Sequence, residues 1–230
     1  FSVRRAHADR RAMAQRGRVI ALSRAGTPGA QQARVQWLAA TLFLGPVFVL
    51  VWLLLPHGEL ASLGGLIAMA ASAFALGIVL VSVPAERVSD TALKGCLFVT
   101  TAVISAGVVF GGESGSVFAL FYLWAVPYAF AYFSARDGVI HTAWVGACYA
   151  VTLAVQRHAG VADVEHPVSR WMMLIGSLAV VGTLVRELTR WGRDSDARFR
   201  RGFDDSQVPM ALVALEGTAF EVNDALCRLL

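Results

Sequence analysis

Six long apolar runs, each closed by a short polar or helix-breaking segment, organise the chain. They cover residues 35–55, 60–83, 92–110, 117–133, 138–156 and 171–188. The first four breaks are Pro56-His57-Gly58, Pro84-Ala85-Glu86-Arg87, Gly111-Gly112-Glu113-Ser114-Gly115 and Ser134-Ala135-Arg136-Asp137; the fifth, residues 157–170, is longer. A hydrocarbon layer about 30 Å thick takes about 17–25 apolar residues of helix, and each run has that length. Backbone groups facing lipid must pair within their own segment, so each span is expected to be helical. The pattern predicts an all-α polytopic membrane bundle of six transmembrane helices over residues 35–188. Short loops set these helices as antiparallel hairpins, one-two, three-four and five-six.

Composition agrees. Of 230 residues, 57% are hydrophobic and 16% charged, against about 45–50% and about 25% in soluble domains; mean hydropathy is +0.60. A single soluble core, disorder and collagen-like repeats are excluded. The net charge of +4 is unevenly spread. Residues 1–34 hold Arg4, Arg5, Arg10, Arg11, Arg16, Arg18, Arg24 and Arg34 against Asp9, a net of +7, which leaves −3 for the rest. The high pI therefore belongs to one basic tail beside a membrane span, expected to meet anionic lipid of the bilayer rather than nucleic acid. Arg87 with Lys94, Arg136, and the Arg186–Arg201 segment fall on the tail's side of an alternating topology. Both termini are accordingly expected in the cytoplasm; Arg157 and Arg170 stand only at the edges of the fifth break. One lysine among twenty basic residues, with frequent Ala, Val and Gly, suits a GC-rich bacterial genome and hence the bacterial inner membrane. Cys96, Cys148 and Cys227 are far apart and form no CxxC, so neither a disulfide framework nor a zinc site is indicated.

Transport and proton pumping place ionisable groups at mid-membrane. The runs carry none near a centre: Lys94 and His141 are expected near helix ends, snorkelling to the interface. No protease arrangement is present, and residues 111–115 are too short to line a pore. Catalytic, cofactor-binding and metal sites are not expected, and the cofactor question stays open; the bundle reads as a sensor or scaffold. The fourth run differs. Phe118, Phe121, Tyr122, Trp124, Tyr128, Phe130, Tyr132 and Phe133 crowd it, and Pro127 frees the Leu123 carbonyl. One reading is close aromatic packing. The other is an aromatic-lined pocket for an apolar or quinone-like ligand, with Tyr122, Trp124, Tyr128 and Tyr132 as the candidate sensing residues. In the outer loops, His57 with Glu59, and Asp163, Glu165 and His166, are either solvated loop residues or a divalent-metal or acid-responsive pair of clusters.

Beyond the sixth run, Leu184, Leu188 and Trp191 fall at heptad-like spacing, and Ser195, Arg198 and Gly202 continue that face. Residues 189–202 are expected to prolong helix six as a signalling-helix linker that pairs in a homodimer, although the stretch is too short for a coiled coil on its own. Residues 203–230 then read as a short helix, a strand over 210–215, a turn at Glu216-Gly217 and a second strand. In that strand Phe220 and Val222 alternate with Ala219 and Glu221, and a helix capped by Asn223 follows.

Phe203, Asp204, Asp205, Ser206, Pro209, Met210, Gly217, Val222, Asn223, Ala225, Leu226 and Cys227, in this order, resemble the start of a PAS domain. Ala219 departs from the larger apolar residue that many members carry there. The resemblance implies the truncated start of an α/β PAS fold over 203–230. The Gly111-Gly112-Glu113-Ser114 loop before an aromatic helix ending in Tyr128, Tyr132 and Phe133 resembles the amino-terminal sensor region of bacterial multidomain cyclic-di-GMP enzymes. That implies a GGDEF output domain beyond Leu230, alone or with EAL; a histidine kinase is the rival output. Phe1 in place of Met, and a pattern cut at Leu230, are read as a fragment. The expected function is the membrane-embedded sensory input of a bacterial signal-transduction protein. The alternatives are the sensor part of a membrane histidine kinase and a transporter with a regulatory tail.

Overall fold

A computed structural model of the chain describes residues 28–160, 166–213 and 219–229. It forms two compact units, Phe1–Gly182 and Thr183–Leu230. The first contains α1 (Pro28–Leu54), α2 (Leu63–Ser82), α3 (Asp90–Phe110), a 3-10 segment (Gly112–Phe121), α4 (Tyr122–Tyr132), α5 (Ala135–His158) and the start of α6 (Pro167–Asp204). Of these helices α1, α2, α3, α5 and α6 are long and apolar enough to cross a membrane. Capping serines set three of the starts. Ser62 and Ser89 cap α2 and α3, and Ser134 forms a reciprocal capping box with Asp137 at α5.

The fourth run is not the uniform helix that its composition suggests. Its first five residues complete a ten-residue 3-10 helix, Gly112–Phe121, and it becomes α-helical only at Tyr122. The 3-10 coil rises about 2.0 Å per residue and the α-helix about 1.5 Å, so residues 117–132 still reach about 26 Å. Threefold winding also eclipses positions i and i+3. Phe118 and Phe121 accordingly stack, with centroids 6.0 Å apart and planes 15° apart, and Trp124 follows Phe121 at 5.0 Å.

Polar ties at both ends give the order of the bundle. At one end Arg34 pairs with Asp90 at 3.3 Å, and Gln31 Nε2 donates to the Val88 carbonyl at 2.8 Å. There too the Tyr128 hydroxyl donates to the Arg34 carbonyl at 3.0 Å, and Lys94 Nζ meets Asp137 Oδ2 at 3.0 Å. These bonds bring together the starts of α1, α3 and α5 and the last turns of α4. At the other end Ser62 N–H donates to the Phe110 carbonyl at 3.0 Å, and Gln156 reaches the Val108 and Gly112 carbonyls. Gly112 has φ +62°, and a Cβ there would lie 2.9 Å from the Glu59 carbonyl oxygen. Only glycine tolerates both conditions. Helices α1 to α5 therefore run up and down, with α3 and α5 parallel. The expected pairing of helices five and six is loose, because α5 packs chiefly on α3 and α4.

In the second unit, α6 leads to β1 (Ala211–Val213), β2 (Ala219–Val222) and α7 (Asp224–Leu229). β1 and β2 pair antiparallel with an irregularity between Leu212 and Val213. Strands of three and four residues make no α/β fold by themselves; the Glu216-Gly217 turn lies outside the described residues. Asn223, fully buried, knots this unit. Its Oδ1 accepts from the Met210 and Leu226 N–H groups, and its Nδ2 donates to the Phe203 and Val208 carbonyls. Every side-chain hydrogen-bonding direction of the amide serves a different piece of backbone. The N-cap read from the sequence is thus also the hub of the unit.

Candidate functional site

The four aromatic candidates divide among three places. Tyr122 is fully buried between α3 and α5, its hydroxyl 2.8 Å from Ser105 Oγ and its ring edge-on to Tyr149. Trp124 turns the other way, edge-on to Phe48 of α1 at 5.7 Å. Tyr128 and Tyr132 sit together at the Arg34 end, with ring centroids 4.8 Å apart and the Arg34 guanidinium 6.0 Å from the Tyr132 ring. No single aromatic pocket gathers them. Trp124 alone of the four lines a cavity of about 50 Å³, shared with Leu42, Pro46, Ala73, Leu97 and Phe118. Pro46 deprives the Leu42 carbonyl of its helical donor. The hydroxyls on this cavity, Thr41 and Thr100, are already spent on the Leu38 and Cys96 carbonyls.

The more organised feature is a polar seam between α3 and α5, and it corrects the expectation for His141. That residue does not snorkel. It is 2% exposed, with Nε2 3.2 Å from Thr101 Oγ1 and its ring edge-on to Phe98. Thr101 also reaches the Leu97 carbonyl at 3.1 Å. With the Thr101 proton on that carbonyl, His141 Nε2–H is the donor and its bare Nδ1 is left without a partner. Such an orphan is costly in a dry interior. Lys94 stays near the surface, but it is paired with Asp137 and lies 5.5 Å from the Phe133 ring centroid.

Along the seam, Ser105 Oγ donates to the Thr101 carbonyl at 2.8 Å and meets the Tyr122 hydroxyl. Thr152 is buried on the Cys148 carbonyl, and Gln156 closes the far end on two carbonyls at 2.9 and 3.3 Å. Of these residues only Tyr122 is among the candidates that the sequence singles out. The available signal is the one-turn spacing of Thr101 with Ser105 and of Thr152 with Gln156 inside otherwise apolar runs.

The loop clusters gain no geometry of their own. His57 stacks on Trp52 at 4.9 Å, while Asp163 and Glu165 lie outside the described residues. Among the described residues no three His, Cys, Asp or Glu side chains stand together as a metal site. No family model, no curated protein and no solved structure matches this chain.

Proposed function

We propose that the chain is the membrane-embedded sensory input of a bacterial signal-transduction protein. Helices α1 to α5 form the scaffold, both termini face the cytoplasm, and α6 carries the signal out. The observation that supports this reading most is that α6 runs uninterrupted for 38 residues, from an apolar stretch into an arginine-rich one. It ends beside a backbone knot centred on Asn223. A helix that continues from one unit into the next is a natural carrier of rotation or displacement, provided each end biases its state. The C-terminal residues are read as the opening of a PAS domain on the residues that resemble it, with cyclic-di-GMP synthesis or turnover as the output and a histidine kinase as the second candidate.

The test inserts a flexible Gly-Gly pair after Trp191 in the full-length protein. Regulation of the output should be lost while its basal level persists; unchanged regulation would remove the relay. A second reading, transport with a regulatory tail, draws on His141 as an ionisable group inside the bundle. Proton flux or uptake in reconstituted vesicles, abolished by His141→Leu, would establish it in place of the sensor.

A further inference from the structure

We propose that the groove between α5 and the start of α6 binds an anionic phospholipid, one acyl chain against its apolar walls and the phosphate at Arg157. The groove measures about 490 Å³ and is lined by Ala150, Leu153, Ala154, Val168 and Trp171, with Arg157 as its one charged residue. Ala150 and Ala154 stand one turn apart on α5, so two short side chains in line leave the trough. Trp171 closes it from α6 and is held by its indole N–H, which donates to the Gly146 carbonyl at 2.7 Å.

Arg157 lies in the last turn of α5. Among the described residues it has no ion-pair partner. The guanidinium fork matches phosphate oxygens two at a time, and the long stem lets the charge sit at the interface while its methylenes follow apolar surface. A neutral apolar ligand would leave this cation unanswered. A small soluble anion would leave the walls uncovered. Apolar walls beneath a lone cation match an acyl chain beneath an anionic headgroup, and the bilayer is the source of that molecule.

The groove also differs from the other cavities in what it touches. The cavity beside Trp124 and the crevices along α1 and α3 include no residue of α6, whereas this one does. A lipid here would contact the helix that leaves the bundle, and could bias α6 to the extent that its contacts differ between α6 positions. That regulatory use rests on the relay reading above; the binding does not.

Native mass spectrometry of the chain released from mixed phosphatidylcholine–phosphatidylglycerol vesicles reads the retained headgroup. Wild type should retain phosphatidylglycerol in preference. Arg157→Ala should reduce that preference about fivefold, the effect of one cation facing an anionic headgroup, and Arg157→Lys should recover most of it. Ala154→Phe, which fills the trough, should lower retention of both lipids, while Arg190→Ala, outside the groove, should change nothing. Circular dichroism of each variant separates a lost site from a lost fold. Equal headgroup preference in wild type and Arg157→Ala overturns the proposal. So does retention of added oleate ahead of phosphatidylglycerol, which would make the groove a fatty-acid site. Lipid preference lost in Arg157→Ala, with regulation of the full-length output intact, keeps the site and overturns its regulatory role alone.

Discussion

Helices α5 and α6 are consecutive and similar in hydropathy, yet the bundle treats them differently. Of the most apolar stretch of each, 39% is buried in α5 and 11% in α6. α5 starts in a capping box, is tied to α3 at Lys94, Thr101 and Val108, and offers Gly138 to the Phe130 ring. Within the first unit α6 is seated by the fully buried Leu178, by Trp171 on Gly146 and by Gly182 against the same Phe130 ring, while Met172, Met173 and Val180 face outward. Lipid is as apolar as leucine, so burying apolar surface does not by itself draw helices together in a bilayer. Close approach at small residues and polar ties decide which helix is fixed. α5 is thus fixed from several sides, whereas α6 is held along one face.

Phe130 is where the two helices share a contact, and changing it should have the largest effect. A Cβ on Gly138 or on Gly182 would lie 2.7 or 2.5 Å from this ring, so the ring fills both notches. Phe130→Ala should cost about 2–3 kcal/mol, mainly lost packing, read as the shift in unfolding in bicelles. It should also expose α6 to proteolysis before α5. Simultaneous exposure of both helices would erase the distinction between them. Gln156→Leu acts on α5 alone. It removes the amide bonds to the Val108 and Gly112 carbonyls and should cost about 1–3 kcal/mol, with α6 protection unchanged.

The long helices are legible in the hydrophobic pattern. Expected runs of 60–83, 92–110 and 138–156 became Leu63–Ser82, Asp90–Phe110 and Ala135–His158, because Pro, Gly and capping Ser punctuate the chain where the hydrophobic pattern stops. Rotation about each helix axis was less legible. In a soluble bundle the polar stripe faces water and fixes that phase. Here the outward Val139, Val151 and Val155 are as apolar as the buried Val145 and Leu153. The apolar residues of the run do not distinguish the lipid face from the core face, and the sparse polar positions such as His141, Thr152 and Gln156 alone mark the buried side. Phe130 between two glycines was hidden for the same reason. Asn223 was legible as a cap because capping is local; its bonds to Phe203 and Val208, 20 and 15 residues away, are not.

The smallest effects belong to Tyr122→Phe and Val180→Ala, and the pair tests how the seam differs from the outward face of α6. Ser105 has one hydroxyl proton, and the Thr101 carbonyl at 2.8 Å takes it. The Tyr122 hydroxyl, 2.8 Å away, is then the donor to Ser105 Oγ. Phenylalanine keeps the ring, the edge contact with Tyr149 and the bond from Ser105 to Thr101, so the loss is one neutral hydrogen bond. Such bonds between membrane helices average about 0.6 kcal/mol. Ser105→Ala removes the acceptor and leaves the fully buried Tyr122 hydroxyl unpaired, which should cost more, about 1–3 kcal/mol. Val180→Ala on the exposed face of α6 should stay within about 0.5 kcal/mol of wild type. The expected order in unfolding measurements is therefore Ser105→Ala, Tyr122→Phe, Val180→Ala. Equal costs for the first two would reverse the proton assignment, and a cost for Val180→Ala matching either would mean that the outward face of α6 is covered by another chain.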